Sequence, residues 1–233
     1  GALFAGEILY RDGDIESDVV VPAAISSIVS YSVYSLFMPA DAAFLPLFGN
    51  GLHYQMSSLS ELLPMALMSI VLVLAAVIYI RTFYGLHKFS KKITAVPNYV
   101  KPAIGAVLAG LVGVGLHLAF DQGDSRAMLA VLSTGYGSLQ TALEDPAKLG
   151  IGALLLIAGG KVLTTSLTIS TGGSGGVFGP SMVIGGCVGG ALGLWFQDLF
   201  GIQTPPGAYA IIGMAGFFAG AAHAPISTII MVS

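Results

Sequence analysis

Charge is what this sequence has least of. Lys and Arg number 9 and Asp and Glu 12, together 9% of 233 residues, where a soluble domain carries about 25%. With a mean hydropathy of +0.86, that scarcity excludes an ordinary water-soluble domain and indicates a polytopic membrane protein. No basic face accompanies the net charge of −3, so nucleic acid is not an expected partner. A single cysteine, Cys187, rules out an internal disulfide; set in an apolar run, it reads as a small packing residue. His53 has no partner at metal-ligand spacing and reads as a surface histidine, so no metal is expected. No cleavable signal is visible, and the chain opens on Gly1 in an already apolar run. It therefore reads as a fragment, with Gly1 to Tyr10 the tail of a helix.

What the chain has instead is glycine, 32 residues of it, and long apolar runs. Glycine suits close helix–helix contact in a bilayer. Spans are expected over Val19 to Phe37, Leu62 to Ile80, Ala103 to Phe120, Ala147 to Ile169 and Val177 to Phe200, each near the length that crosses the hydrocarbon. Ala208 to Ala222 is a shorter apolar segment, and a further helix starts after His223-Ala224-Pro225. Arg11 to Asp18 reads as a solvated turn, and Met38 to Leu59 as an exposed connection. Five of the nine basic residues, Arg81, Lys88, Lys91, Lys92 and Lys101, fall between 81 and 101, which predicts a cytoplasmic connection there. Two charges stand out among apolar residues. Glu7 is either a helix-end acid near water or a functional intramembrane acid. Lys161 must snorkel, pair, or face an aqueous vestibule.

The chain is organised around Ser170-Thr171-Gly172-Gly173-Ser174-Gly175-Gly176-Val177-Phe178-Gly179-Pro180-Ser181, a polar break between two membrane-length runs. Backbone at that depth must be buried in protein or line a wet cavity. If Val177 opens the second helix, the free N–H groups of its first turn face the break and carry roughly +0.5 of a charge. Gly175, Gly176 and Gly179 let an ion approach backbone. Pro180 sits in the first turn, where a missing N–H is cheap. The backbone N–H groups of Val177 and Phe178, beside Gly176, are the candidate anion ligands, with hydroxyls of Thr171, Ser174 and Ser181 as lesser contributors.

Gly175-Gly176-Val177-Phe178-Gly179-Pro180 resembles the GxFxP signature of CLC chloride channels and proton-coupled chloride transporters. The likeness continues in register through Lys161-Val162-Leu163-Thr164-Thr165 and on to Gly213-Met214-Ala215-Gly216 and Ala224-Pro225, and covers most of the chain. It implies an all-α polytopic fold of CLC type, an inverted repeat with tilted and half-length helices. On that basis residues 1–233 are a partial membrane domain, with the end of the first repeat at about 1–95 and the second at about 99–233. It implies chloride as the bound ion with no other cofactor, the two amides named above as its ligands, and a non-enzymatic role. It also implies a homodimer in the lipid bilayer, with contacts from the helix after Glu61 and the one after Pro225. Thr134 to Leu139 is similar to a short segment before a half-length helix. Glu7 matches a family glutamate. The next position is often a second, proton-relaying glutamate in the coupled branch; here Ile8 stands there, which favours a channel-like member over a proton-coupled antiporter. A basic residue is common at Lys161, where drawing anions toward the pore and a structural ion pair both stay open. The family's serine-bearing segment, its gating-glutamate segment and its late tyrosine are absent, so these residues alone are expected not to conduct.

Two other readings compete. A nucleotide-binding enzyme fails on pattern: Phe178 stands where GxGxxG needs its third glycine, and no GK[ST] follows. Glycines serving only helix packing in an unrelated membrane protein would account for composition but not for the extended register.

Overall fold

The computed structural model describes residues 4, 6, 7, 17–39, 61–119, 129–202 and 204–232. His53 and most of the charged turn after Tyr10 lie outside these. Every regular element among them is helical: α1 (Ser17–Ser35), α2 (Leu62–Lys92), α3 (Lys101–Ala119), α4 (Tyr136–Glu144), α5 (Gly150–Ser170), α6 (Phe178–Phe200), α7 (Pro206–Ala222) and α8 (Pro225–Val232), with single 3-10 turns at Leu129–Val131 and Pro146–Lys148. Phe4, Gly6 and Glu7 form part of an opening helical turn. Four helices, α2, α3, α5 and α6, are long and apolar enough to cross a membrane. The all-helical expectation holds, and α4 and α8 are the short helices of the set.

One expected boundary moves. The basic stretch anticipated as a connection is mostly helix, because α2 runs unbroken from Leu62 to Lys92. Lys and Arg are good helix formers, and no proline interrupts before Pro97. At about 1.5 Å per residue, the 31 residues of α2 exceed the ~30 Å hydrocarbon. Its last turns, with Lys88, Lys91 and Lys92, therefore emerge as a basic stem. Lys101, opening α3, donates from Nζ to Ser90 O at 2.9 Å and ties the return to the end of α2.

The core forms around α6. Ser181 through Ala191 is buried continuously, as befits a helix that is apolar on every side and enclosed by others. α2, α4, α5 and α7 contribute Leu72, Leu139, Ile157 and Phe217 to the same buried cluster. α6 and α7 approach most closely. A Cβ at Gly185 would run into Gly213 O, one at Gly189 into Tyr209 O, and one at Gly193 would lie 2.8 Å from Pro206 O. This four-residue glycine spacing removes a stripe of side chains so that two backbones meet. Cys187, on the buried part of α6, is fully enclosed. By contrast α1 leaves Val21, Ile25, Ile28 and Val29 exposed, and α2 leaves Leu63, Ile70, Val73 and Ile78 exposed. Such apolar faces suit lipid or protein, not water.

Candidate anion site

The Gly-rich break begins as a helix stop. Gly172 has φ +103°, a conformation that side chains resist. Its N–H donates to Ile169 O at 3.1 Å, and Gly173 N–H donates to Thr168 O at 3.0 Å. These are the two bonds of a Schellman motif, which satisfy carbonyls left over at the end of α5. Two side-chain bonds complete the stop. Ser170 Oγ donates to Phe83 O at 2.9 Å, and Thr171 Oγ1 donates to Leu167 O at 2.8 Å. The hydroxyl of Thr171 is thus turned into its own helix. Ser174, Gly175 and Gly176 then run exposed to the start of α6.

α6 begins at Phe178, one residue later than expected. Val177 is the cap, with φ −92° and ψ −13°. Its carbonyl accepts the first intrahelical bond, from Ser181 N–H at 3.1 Å. Pro180 has no N–H, so Phe178 and Gly179 carry the α6 amides that precede that bond. Val177, the other expected ligand, presents its amide from the cap, on the same end of the helix. Gly179 backs onto Tyr136, the first residue of α4: a Cβ there would lie 3.3 Å from the Tyr136 hydroxyl.

Two clefts of about 150 Å³ flank this start. One is lined by Tyr79, Phe83, Val177, Ser181 and Phe218, the other by Lys161, Thr164, Thr168, Gly175, Gly176 and Pro180. The break therefore forms a wall between an aromatic cleft and a hydroxyl-rich one. Ser181 is buried beside the first; Ser174 is exposed.

The two charged candidates lie apart and do different things. Lys161 is almost fully buried. Its Nζ donates to Ala130 O at 3.2 Å, to Val131 O at 3.5 Å and to Ser133 O. Thr164, one helical turn on, donates to Val131 O at 2.8 Å. Among the described residues no carboxylate pairs with Lys161; carbonyls of the Leu129–Val131 turn take that place. Glu7 meets α8 instead. Ile226 N–H donates to its Oε1 at 3.0 Å and Ser227 N–H to its Oε2 at 2.8 Å. Neither partner set is legible in the sequence, because the residues involved are 28 to 31 and about 220 positions apart and the acceptors or donors are main chain.

Comparison with known proteins gives a family and a set of relatives. A family model described as "Voltage gated chloride channel" matches residues 1–233. The H(+)/Cl(-) exchange transporter ClcA of Vibrio cholerae serotype O1 (strain M66-2) is 40% identical over 87 residues, 36% of this chain and 18% of the relative. Proteins of the same name from Yersinia pestis bv. Antiqua (strain Angola) and Yersinia pseudotuberculosis serotype O:3 (strain YPIII) are each 33% identical over 132 residues. Those matches take in 55% of this chain and 25% of each relative. The chain thus matches about a quarter or less of the length of these relatives.

Proposed function

This chain belongs to the voltage gated chloride channel family of integral membrane proteins, and from that premise we propose that it carries chloride, or a similar anion, across a membrane. The ion is held by the main-chain amides of Val177 and Phe178, with Gly179 next along the turn. One observation carries the reading. A buried helix starts at Phe178 directly after a helix stop and an exposed, side-chain-poor glycine segment. Partial charges at such a start bind an anion without a full countercharge, so it binds firmly enough to enter and weakly enough to leave. With its ammonium committed to three carbonyls, Lys161 is a brace and a source of positive potential beside the hydroxyl-rich cleft; it is not the ligand.

The test is crystallographic. Bromide soaked into the intact protein is expected to give anomalous density within hydrogen-bond reach of the Val177 and Phe178 amides. No density there at saturating bromide would overturn the assignment.

Channel and coupled antiporter make different demands on protons, and each has an observation in its favour. The relatives named above are called H(+)/Cl(-) exchange transporters, which supports exchange. Ile8, where the coupled branch often has a second glutamate, favours the channel. Reversal potential across a pH gradient separates them: a shift with pH means exchange, and a potential set by chloride alone means a channel. A homodimer is proposed with the family, each subunit holding its own pathway; cross-linking in the membrane would test it.

A further inference from the structure

We propose that Glu7 is a positioning residue: by clamping the first turn of α8, it holds Phe4 against Phe178 and so sets the direction of the amides that open α6. The inference rests on the anion reading of that helix start.

Glu7 and Phe4 are three residues apart in one helical turn, so both side chains leave the same face. Each reaches a different helix. The two carboxylate oxygens of Glu7 accept from Ile226 N–H and Ser227 N–H at 3.0 and 2.8 Å. The ring of Phe4 stacks on Phe218 of α7, with centroids 5.5 Å apart, and meets Phe178 at 6.5 Å and an interplanar angle of 67°. Phe178 and Phe218 close the triangle edge-on at 4.9 Å. Phe178 is at once a corner of this cluster and the first residue of α6. Its ring cannot swing about χ1 without displacing the rings of Phe4 and Phe218, and a tilt of the α6 start that redirects its N–H would have to break the same two contacts.

The opening turn is held from other sides as well. Gly6 faces α1, where a Cβ would lie 3.6 Å from Val20. α7 ends at Ala222, and His223 in the left-handed region (φ 56°) reverses the chain into Pro225 and α8. Phe218 and the amides that grip Glu7 therefore belong to one short, bent unit. A cap that served α8 alone would act locally, on the first turn of that helix. This one joins α8 to α6 through two side chains on a single helical turn.

The experiment compares chloride affinity by calorimetry in the intact, detergent-solubilised protein. The variants are Glu7→Gln, Glu7→Asp, Phe4→Ala, Phe4→Leu and the double Glu7→Gln/Phe4→Ala, each checked by thermal melting. Glu7→Gln and Phe4→Ala are each expected to weaken binding about three- to ten-fold, and as contacts in one brace their effects should couple. The double variant should bind no more weakly than the worse single one, and Glu7→Asp should recover part of the loss. Phe4→Leu, which keeps apolar volume without a flat ring, stands in if Phe4→Ala does not fold. Wild-type affinity in folded Glu7→Gln and Phe4 variants, or losses that multiply in the double variant, would overturn the brace. Absence of chloride binding by the wild type would overturn the anion site itself and this inference with it.

Discussion

At the scale of single residues, the candidate site depends on conformation more than on side-chain chemistry. Gly172 is the clearest case, since its φ of +103° is needed for both bonds that end α5. Gly172→Ala should destabilise the protein by about 1–2 kcal/mol, seen as a lower melting temperature in detergent. Gly175→Ala, at a position with no such φ and only ordinary contacts to Ile169, should cost much less. Lys161 makes the opposite point, because here the side chain decides. Lys161→Met leaves the carbonyls of Ala130 and Ser133 without their ammonium and should cost at least ~2 kcal/mol. The expected readout is a loss of folded, monodisperse protein in size-exclusion chromatography, larger than any change in anion affinity of what remains. If Lys161→Met folds normally and loses only anion affinity, the ammonium's main task is attracting the ion.

At the scale of elements, the decisive contact is α6 against α7. Three α6 glycines at four-residue spacing leave no room for a side chain opposite Tyr209, Gly213 and Pro206. Gly185→Ala would drive a methyl into backbone, which cannot swing aside as a flexible side chain does. A cost of about 1–3 kcal/mol follows for overpacking of this kind, and thermal melting should register it. Gly110→Ala is the matched control. Nothing lies within 4 Å of a Cβ there, so that variant should be neutral or slightly stabilising through helix propensity. The two helices also meet at the start of α6. α7 presents Phe218 to Phe178, so the first ring of α6 is packed where the glycine-rich break and Pro180 let that helix begin.

At the scale of the whole molecule, the long helix α2 and the buried α6 define how the chain meets its surroundings. Cys187 is enclosed and is the only cysteine, so the wild type should not react with a maleimide unless unfolded. That makes it a ready background for single-cysteine probes. A cysteine replacing Lys91, on the basic stem of α2, should label rapidly from the cytoplasmic side. One replacing Ile70 in the apolar middle should resist water-soluble reagents in the membrane. Rapid labelling at Ile70, or labelling of Lys91 from the outside only, would contradict this arrangement.

Much of the architecture was set by the sequence alone, for a physical reason: lipid enforces helices, and apolar runs of span length can do little else. Scarce charge, the glycine-rich break and its register with a known family were enough to indicate the membrane class and the family, and the same break is the stretch proposed here to hold the anion. Boundaries followed within one to three residues at α3, α5 and α6, since glycine and proline stop or start helices locally. The structure alone decided which partners the few charged groups take. Lys161 grips three carbonyls some thirty residues away, Glu7 grips two amides at the far end of the chain, and Phe4 reaches Phe178. Those pairings depend on how α5, α6, α7 and α8 pack, and main-chain donors and acceptors carry no residue-specific signature from which they could have been read in advance.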